Sequence, residues 1–254
     1  MWQDRAVISS DGEAFGGAQG TPLAKYSPRP EIPDYLTQHY NWAYVTPEAV
    51  QRFERPWLIN LIVWGNYARL TAAVLDRLRK APEVRNVLQV ACAYGDFTPA
   101  LAREVGGRGG RLDVIDVLPV QLENLSGKLA PSAPVALHRM DSAALDFSSE
   151  SYDAVVMFLL LHEQPDAWKR RTLSEAWRVT RPGGRIILVD YARPAWWNPV
   201  GYVLAPALAL LEPFALDMWR RGVESFAPPQ MLKRGFERST LFGGLYQIVT
   251  FVKD

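Results

Sequence analysis

The sequence has little cysteine, no excess of either charge and no long uninterrupted apolar run. Cys92 is the only cysteine among 254 residues, which excludes an intrachain disulfide and a zinc site built from paired CxxC motifs. Lys and Arg total 28 and Asp and Glu total 27, so the basic footprint of a nucleic-acid-binding protein is missing and no nucleic-acid partner is expected. A GxGxxG turn is also missing, which disfavours binding of a dinucleotide pyrophosphate.

Apolar strands alternate with helical segments from residue 86 onward, and this alternation predicts a parallel sheet covered on both faces. Strands are predicted over 86–91, 111–116, 135–139, 153–159 and 185–191, and residues 240–252 supply two more that pair antiparallel at one edge. The sequence therefore predicts an α/β fold with a doubly wound, mostly parallel, seven-stranded, Rossmann-like sheet.

Three further regions complete the predicted organisation. Residues 1–32 are rich in Gly, Ser, Ala and Pro and are expected to form a disordered tail, so the folded domain is placed at 33–254. Residues 33–80 are dense in Tyr and Trp and predict a helical cap, with a short helix near 47–54 and a longer one over 57–79. Residues 194–230 form an apolar insertion before the last strands.

In a sheet of this kind the ligand lies at the carboxyl ends of the strands. Gly95 follows the first strand and allows backbone N–H groups to approach a ligand closely. Asp116 ends the second strand, roughly 20 residues later, where a carboxylate can accept hydrogen bonds from both hydroxyls of a ribose. Asp141 follows the third strand and is placed to accept a hydrogen bond from an adenine amino group. This ordered set favours a nucleoside ligand without phosphates.

Residues 86–192 resemble the class I methyltransferases that use S-adenosylmethionine (SAM), near the quinone C-methyltransferases. The resemblance rests on the stretches VLQVACAYGDFTPAL, DVIDVLPVQLENL, RMDSAALDF, YDAVVMFLLLHEQP and RVTRPGGRIILVDYARP. The first motif departs from the family pattern, because Gln89 stands where an acid is usual and Ala91 and Ala93 replace two glycines. The resemblance implies a set of cofactor-binding residues: Val90, Ala91, Tyr94, Gly95, Asp116, Val117, Gln121, Asp141, Ser142 and Phe158.

A narrower resemblance covers residues 35–220, through the segments YLTQHYNWAY, IVWGNYARL, LLLHEQP and LEPFALDMW. These segments are similar to the rhodoquinone-biosynthesis family. That family converts ubiquinone to rhodoquinone by replacing a ring methoxy group with an amino group, uses SAM as the amino donor and requires manganese. The resemblance thus implies SAM and Mn²⁺ as cofactors and a ubiquinone-type lipid quinone as the substrate.

The reacting groups are expected after the fourth and fifth strands. His162, Tyr94 and Asp190 are the candidate catalytic residues, and His162 with Asp190 is the candidate metal pair, because manganese prefers imidazole, carboxylate and water ligands. His39 could line the pocket, whereas His138 is expected at the surface.

The apolar stretch 195–219 is interrupted by Pro199, Pro206 and Pro213 and by the charged Glu212. These interruptions favour a segment that covers the substrate or lies in a membrane interface over a spanning helix. A peripheral position on the cytoplasmic face of a bacterial inner membrane is expected, or a soluble cytoplasmic one. An interface between subunits and an ordinary helical core remain as alternatives for this stretch.

Four functions stay open from the sequence. The first is a quinone-aminating enzyme, and the second is a conventional methyltransferase that acts on a quinone or a small aromatic compound. The third is a noncatalytic SAM-binding protein, which the altered first motif allows. An NAD-dependent enzyme is the fourth and is disfavoured by the missing glycine-rich turn.

Overall fold

The central sheet of the computed structural model, which describes residues 30–254, has seven strands in the order β3-β2-β1-β4-β5-β7-β6. The strands are β1 (Asn86–Val90), β2 (Arg111–Asp116), β3 (Val135–Arg139), β4 (Tyr152–Phe158), β5 (Thr180–Tyr191), β6 (Glu237–Leu241) and β7 (Tyr246–Val252). Strands β1 to β5 pair in parallel, and β7 runs antiparallel to both β5 and β6. The predicted fold class and the antiparallel pair at one edge are confirmed.

Ten α-helices accompany the sheet in residues 30–254. They are α1 (Asp34–His39), α2 (Pro47–Phe53), α3 (Pro56–Ile62), α4 (Tyr67–Arg79), α5 (Phe97–Gly106), α6 (Pro119–Lys128), α7 (Asp166–Val179), α8 (Pro199–Leu211), α9 (Ala215–Arg221) and α10 (Pro229–Leu232). A π-helical turn, Asn41–Val45, joins α1 to α2, and short 3-10 turns lie at Leu161–Glu163 and Val223–Ser225. The tail predicted over residues 1–32 lies almost entirely outside the described residues.

The sheet divides the core into two layers. Alternate residues of a strand point to opposite faces, and β4 shows this directly. Ala154, Val156 and Phe158 pack with α4 and α5 on one face, whereas Val155 and Met157 pack with α7 on the other. All seven residues of β4 are buried. Burial on both faces explains why this strand is a continuous apolar run in the sequence.

The helix predicted over 57–79 is wrong as a single element. Trp64 (φ 52°) and Gly65 (φ 72°) both adopt left-handed backbone conformations, and α3 and α4 meet there at 83°. A right-handed helix cannot continue through two such residues. The bend separates α4, which packs on the sheet, from α3, which extends along the carboxyl ends of the strands. Periodicity cannot reveal this bend, because both helices keep an apolar pattern.

The insertion is tied to the sheet edge by one side chain. Asn198 caps α8 by accepting a hydrogen bond from the Val200 N–H at 3.1 Å, and Pro199 occupies the first helical turn. The Asn198 amide also donates to the Phe242 carbonyl at 2.8 Å, in the turn between β6 and β7. This double use explains why Asn198 is buried within an exposed segment, and it fixes where α8 begins.

Candidate active site

A cavity of about 560 Å³ lies at the carboxyl ends of the parallel strands, where the fold class places ligands. Its walls come from the loops after β1, β2 and β3, the turn after β4, the N-terminal cap, and helices α3 and α8. Most of the residues predicted from the sequence line it: Ala91, Tyr94, Asp116, Val117, Gln121, Asp141, Ser142, Phe158 and His162. Val90, Gly95 and Asp190 do not line it.

The end of β1 braces the loop that follows it, residues 91–98, and does not face the cavity. We call this segment the cofactor loop. Val90 is buried in the core, so only its backbone remains available to a ligand. Gln89 is fully buried, and its amide donates to the Ala91 carbonyl and to the Thr98 hydroxyl, both at 2.9 Å. The residue that replaces the usual acid is therefore used to hold the loop, and β1 offers no carboxylate to a cofactor.

Ala91 takes a glycine-like conformation, with φ at 67°. The family pattern has glycine at this position, and the backbone keeps the left-handed shape although the side chain has changed. A left-handed alanine costs roughly 1–2 kcal/mol, and such strain is often found at functional sites. Gly95 is also left-handed, at φ 73°, and its N–H donates to Glu54 at 2.9 Å.

Asp116 lies where a carboxylate can hold a ribose. One oxygen accepts from the Cys92 N–H at 2.8 Å and the other from the Leu118 N–H at 2.9 Å. A carboxylate oxygen can accept more than one hydrogen bond, so each keeps capacity for a ribose hydroxyl. Burial raises the pKa of Asp116 to about 6, against the lowering effect of these backbone donors. The carboxylate is thus fixed in place before any ligand arrives.

Tyr94 has both hydrogen-bonding capacities of its hydroxyl in use. The hydroxyl donates to the Ala43 carbonyl at 2.6 Å and accepts from the Gln121 amide at 2.9 Å. Its ring stacks on Tyr44, with 5.6 Å between centroids. Burial raises the pKa of Tyr94, so it stays protonated. This geometry makes Tyr94 a residue that joins the cap to the loop after β1, and the catalytic role predicted for it stays a prediction.

A second connection between cap and cofactor loop is absent from the sequence predictions. Glu54, which follows α2, accepts from the Gly95 N–H, from the Lys128 ammonium at 2.8 Å and from the Asn124 amide at 2.7 Å. Lys128 also donates to the Gly95 carbonyl at 2.9 Å. Asn124 and Lys128 both lie on α6, but Glu54 precedes them by 70 and 74 residues, so no local motif links the three. Only the packing of α2 against α6 reveals them.

The adenine-side residues form a local network. Asp141 accepts from the Ala143 N–H at 2.9 Å, so one of its oxygens already serves the turn after β3. The Ser142 hydroxyl bonds the Thr172 hydroxyl at 2.9 Å and accepts from the Gln164 amide at 3.0 Å. Phe158 stacks on Phe97 with 4.1 Å between centroids. Phe158 is therefore mainly a core residue that forms the floor of the cavity.

His162 and Asp190 form a buried pair. His162 Nδ1 lies 2.9 Å from Asp190 Oδ1, and the imidazole packs edge-on against Tyr191. Burial works to lower the pKa of His162, but the carboxylates of Asp190, Glu212 and Glu163 outweigh it and raise the pKa to about 9. Asp190 therefore orients the ring, and Nε2 is left toward the other two carboxylates. An imidazole held in this way can hold or move a proton.

The predicted metal pair is not supported. Asp190 Oδ2 accepts from the N–H groups of Leu161 and His162, and Oδ1 accepts from the Tyr191 N–H in addition to the imidazole. Oxygens engaged in this way leave little capacity for a metal ion. In residues 30–254 no group of three or more His, Cys, Asp and Glu side chains is arranged to hold a metal ion. Asp190 instead supports His162.

Two further carboxyl groups lie beside His162. Glu163, which follows the same strand, was expected there as a possible metal ligand, whereas the position of Glu212 was missed. Glu163 Oε1 accepts a short hydrogen bond from the Tyr44 hydroxyl, and burial raises its pKa to about 8, against the lowering effect of His162 and Tyr44. Glu212 Oε2 lies 3.3 Å from His162 Nε2. The sequence did contain a signal for Glu212, because it is a single carboxylate at the end of an otherwise uncharged stretch. Charged residues are seldom buried without a partner, so a partner for Glu212 could have been expected.

The other two histidines lie outside the cavity. His39 is exposed and packs edge-on against Phe214, with 5.4 Å between centroids, which corrects the expectation that it lines the pocket. His138, on β3, lies 2.7 Å from Asp113 through Nε2 and is partly exposed. It is thus a partnered residue close to the surface.

The strand order, the ribose carboxylate after β2 and the cavity at the strand ends define a class I SAM-dependent methyltransferase fold. A family model described as a methyltransferase domain matches residues 87–184. This match runs from β1 to the beginning of β5 and includes the loop after β1. These findings support a SAM-dependent transferase of the methyltransferase type.

Relatives with quinone substrates in their names are among the similar proteins. The chain is 27% identical over 179 residues to a ubiquinone/menaquinone biosynthesis C-methyltransferase of Marinomonas sp., covering 63% of this chain and 70% of that one. It is 31% identical over 127 residues to a demethylmenaquinone methyltransferase of Deinococcus radiodurans, covering 49% of each. The chain thus spans about half the length of the second relative. Over part of its length this chain is therefore similar to proteins named as quinone methyltransferases.

Solved structures confirm the fold. Human N-acetylserotonin methyltransferase in complex with SAM gives a TM-score of 0.61 at 14% identity, covering 87% of this chain and 60% of that one. Magnesium protoporphyrin IX methyltransferase of Synechocystis PCC 6803, with bound S-adenosylhomocysteine, gives 0.60 at 15% identity, covering 87% and 100%. At this identity the likeness extends to the fold alone.

Proposed function

We propose that this protein converts a ubiquinone-type lipid quinone to its amino derivative, with SAM as the donor of the amino group. The carrying observation is one continuous cavity with two chemically different halves. Asp116 and the loop after β1 form the half proposed for the nucleoside, which we call the cofactor half. The other half, which we call the quinone half, is apolar and aromatic, with Tyr44, Trp64 and Tyr191 in its walls and His162 beside them. Such a cavity suits a polar cofactor facing a flat apolar ring.

The residues around the ring supply orientation and proton handling. Asp190 holds His162 Nδ1, so Nε2 is the nitrogen available to a quinone oxygen. A protonated imidazole there would stabilise negative charge that develops on that oxygen when a nucleophile adds to the ring. The apolar walls exclude water, which strengthens this interaction. This arrangement serves amino transfer, in which the ring is the electrophile. In methyl transfer the ring carbon would be the nucleophile, and the group at the ring oxygen would have to accept a proton instead.

Manganese is implied by the resemblance alone. Because the predicted pair is not supported as a metal site, no step is assigned to a metal ion. Manganese enters the experiment as a variable instead.

A conventional methyltransferase is the second candidate function. The names of the relatives favour it, since the Marinomonas and Deinococcus proteins are both methyltransferases. The end of β1 favours amination. Gln89 stands where the family pattern has an acid, so no carboxylate is available there to hold the methionyl group of SAM in its usual position. A displaced methionyl group would bring a different SAM atom toward the ring.

The test is a product analysis with SAM labelled with nitrogen-15 at its amine. The protein is incubated with labelled SAM and a short-chain ubiquinone, with and without Mn²⁺, and the quinones are analysed by mass spectrometry. We expect a product that has lost methoxy and carries the label. A methylated quinone, with the label left in the nucleoside product, would establish the second candidate. SAM binding without any turnover would favour the noncatalytic alternative.

We also propose that the protein works at a membrane surface. Helices α3 and α8 carry no charged residue, and both line the cavity. Their exposed apolar side chains include Trp57, Leu61, Tyr202 and Leu210, each at least 63% exposed. None of the helices in residues 30–254 can by itself cross a membrane; the bent pair α3–α4 meets the criterion only by length and composition. A quinone could thus enter between α3 and α8 from an adjoining bilayer.

Vesicle flotation tests this placement. The double variant Trp57→Ser, Leu210→Ser should float less with phospholipid vesicles than the wild-type protein and should keep its SAM affinity. A matched control, Leu75→Ser in the core helix α4, is expected to lower the melting temperature instead. Equal flotation of the wild-type protein and the double variant would contradict the proposal. The position on the cytoplasmic face of an inner membrane stays a prediction of the sequence.

A further inference from the structure

An excess of acidic over basic groups lies at one end of the cavity. Three carboxyl groups and one imidazole meet there, from the turn after β4, the end of β5 and the end of α8: His162, Glu163, Asp190 and Glu212. A buried charge is costly unless it is paired. The imidazolium can balance only one of the three carboxylates, so the group lacks positive charge.

The hydrogen bonds show which carboxylates lack a partner. Asp190 is satisfied by backbone N–H groups and by His162. Glu163 accepts from the neutral Tyr44 hydroxyl, which supplies no charge. Glu212 Oε2 has no exposed surface and makes no hydrogen bond within the described residues, although His162 Nε2, which Glu163 also approaches, lies 3.3 Å away. Burial raises the pKa of Glu163 to about 8 and the pKa of Glu212 above its usual value. Without a cation Glu163 therefore keeps its proton at neutral pH, and a cation that enters the cavity would favour its ionised form and pair with the carboxylate.

The cofactor half lies next to these groups. Tyr44 donates to Glu163 and stacks on Tyr94 of the cofactor loop. Asp116 and Glu163 both line this cavity. A nucleoside whose ribose rests on Asp116 would therefore place a chain of a few atoms near Glu163. Gln89 is uncharged and turned into the loop, so β1 cannot attract a cationic group instead.

We propose that Glu163, assisted by Glu212, binds the α-ammonium group of SAM. This inference rests on the proposed function only in requiring SAM as the ligand, and it holds for either methyl or amino transfer. The two carboxylates draw the amino-acid end of the cofactor toward the quinone half of the cavity. This proposal also explains why the apolar insertion carries a carboxylate, Glu212, at the end of α8.

The test compares two ligands that differ only in the ammonium group. S-adenosylhomocysteine and its deamino analogue, with hydrogen in place of the α-amine, are titrated calorimetrically into the wild-type protein. The same titrations are made with Glu163→Gln, Glu212→Gln and the control Glu123→Gln, which changes an exposed carboxylate on α6. We expect Glu163→Gln to lower the affinity for S-adenosylhomocysteine about 10- to 100-fold, the range of one charge-assisted hydrogen bond. Binding of the deamino analogue should change less than about twofold, which also shows that the variant is folded.

The outcomes separate this inference from the proposed function. If Glu163→Gln and Glu212→Gln keep the wild-type preference for the ammonium ligand, the inference is overturned while SAM binding stands. If the wild-type protein binds neither ligand, the proposed function fails and the inference with it. A divalent cation is the other source of positive charge. Manganese binding without nucleoside, measured by electron paramagnetic resonance and lost in Glu163→Gln with no change in ligand preference, would assign the carboxylates to a metal.

Discussion

The two halves of the cavity are built in different ways. In the cofactor half, Asp116 is held by backbone N–H groups and Gln89 braces the loop, so the polar groups are placed by the sheet itself. In the quinone half, Glu163 and Glu212 are placed by a short turn and by the end of an inserted helix. The cofactor half is thus preorganised by the fold, whereas the quinone half depends on segments added to it.

This difference bears on specificity. Many reactions share one nucleoside cofactor, so a cofactor site made from the sheet can stay the same while the chemistry changes. The elements that differ between enzymes of one fold are the loops and insertions at the strand ends. The substrate and reaction of this protein are therefore expected to depend on α3, α8 and the turn after β4. Each half can be tested separately.

The largest effect is expected at His162. Replacing it by Gln removes the group that holds a proton at the quinone oxygen, while Asp190 keeps a hydrogen-bonding partner. Turnover should fall about 100- to 10,000-fold, the range of general acid–base catalysis. The affinity for SAM should fall far less than turnover, because Asp116 and the loop after β1 are untouched and only the charge beside Glu163 and Glu212 changes. Single-turnover rates and calorimetric titration with SAM measure the two quantities, and a loss of affinity without a loss of rate would contradict the division.

Asp116→Ala should give the opposite result. Loss of two charge-assisted hydrogen bonds to the ribose is expected to lower the affinity for SAM by roughly 30- to 1000-fold. Turnover at saturating SAM should fall much less. Asn at the same position is the matched control, because it keeps one acceptor and the shape of the side chain. Unchanged affinity in calorimetry would place the ribose elsewhere.

The sequence predicted one half of the cavity much better than the other. Strand ends, Asp116 and the loop after β1 follow from apolar periodicity and from the position of acids after strands, which are local signals. The bend at Trp64, the connection of Glu54 to Lys128 and the meeting of Glu212 with His162 depend on contacts between distant segments. No local pattern encodes those contacts. The predicted metal pair lacks support for the same reason, since the backbone donors around Asp190 became visible only in the fold.

The quinone half should make stability depend on pH. The pKa of His162 is raised from 6.5 to about 9 in the folded protein. The folded state therefore holds this proton more tightly than the unfolded chain, and the stabilisation is fully present below pH 6.5. It is lost as the pH rises to about 9. Glu163, with a pKa raised to about 8, changes stability in the same direction between pH 4.5 and 8.

Thermal melts from pH 6 to 9 measure this effect. The melting temperature of the wild-type protein should fall over this range. His162→Gln should flatten the upper part of the curve, because Gln does not titrate, whereas Asp116→Asn should leave it unchanged. A curve that is equally steep in His162→Gln would show that other groups cause the dependence.

The smallest effect is expected on substitution of Ala91, where the change in the free energy of unfolding reports how rigid the cofactor half is. Its φ of 67° costs an alanine roughly 1–2 kcal/mol, whereas glycine adopts this conformation freely. Glycine also gains conformational entropy in the unfolded chain, worth about 0.4–1 kcal/mol. The two terms nearly offset, so Ala91→Gly should raise the free energy of unfolding by about 1 kcal/mol or less. Chemical denaturation measures this change, with Ala93→Gly as the control, since Ala93 is not left-handed and should only lose stability. If both variants are destabilised equally, the strain at Ala91 is relieved by its neighbours and the loop is less rigid than its hydrogen bonds indicate.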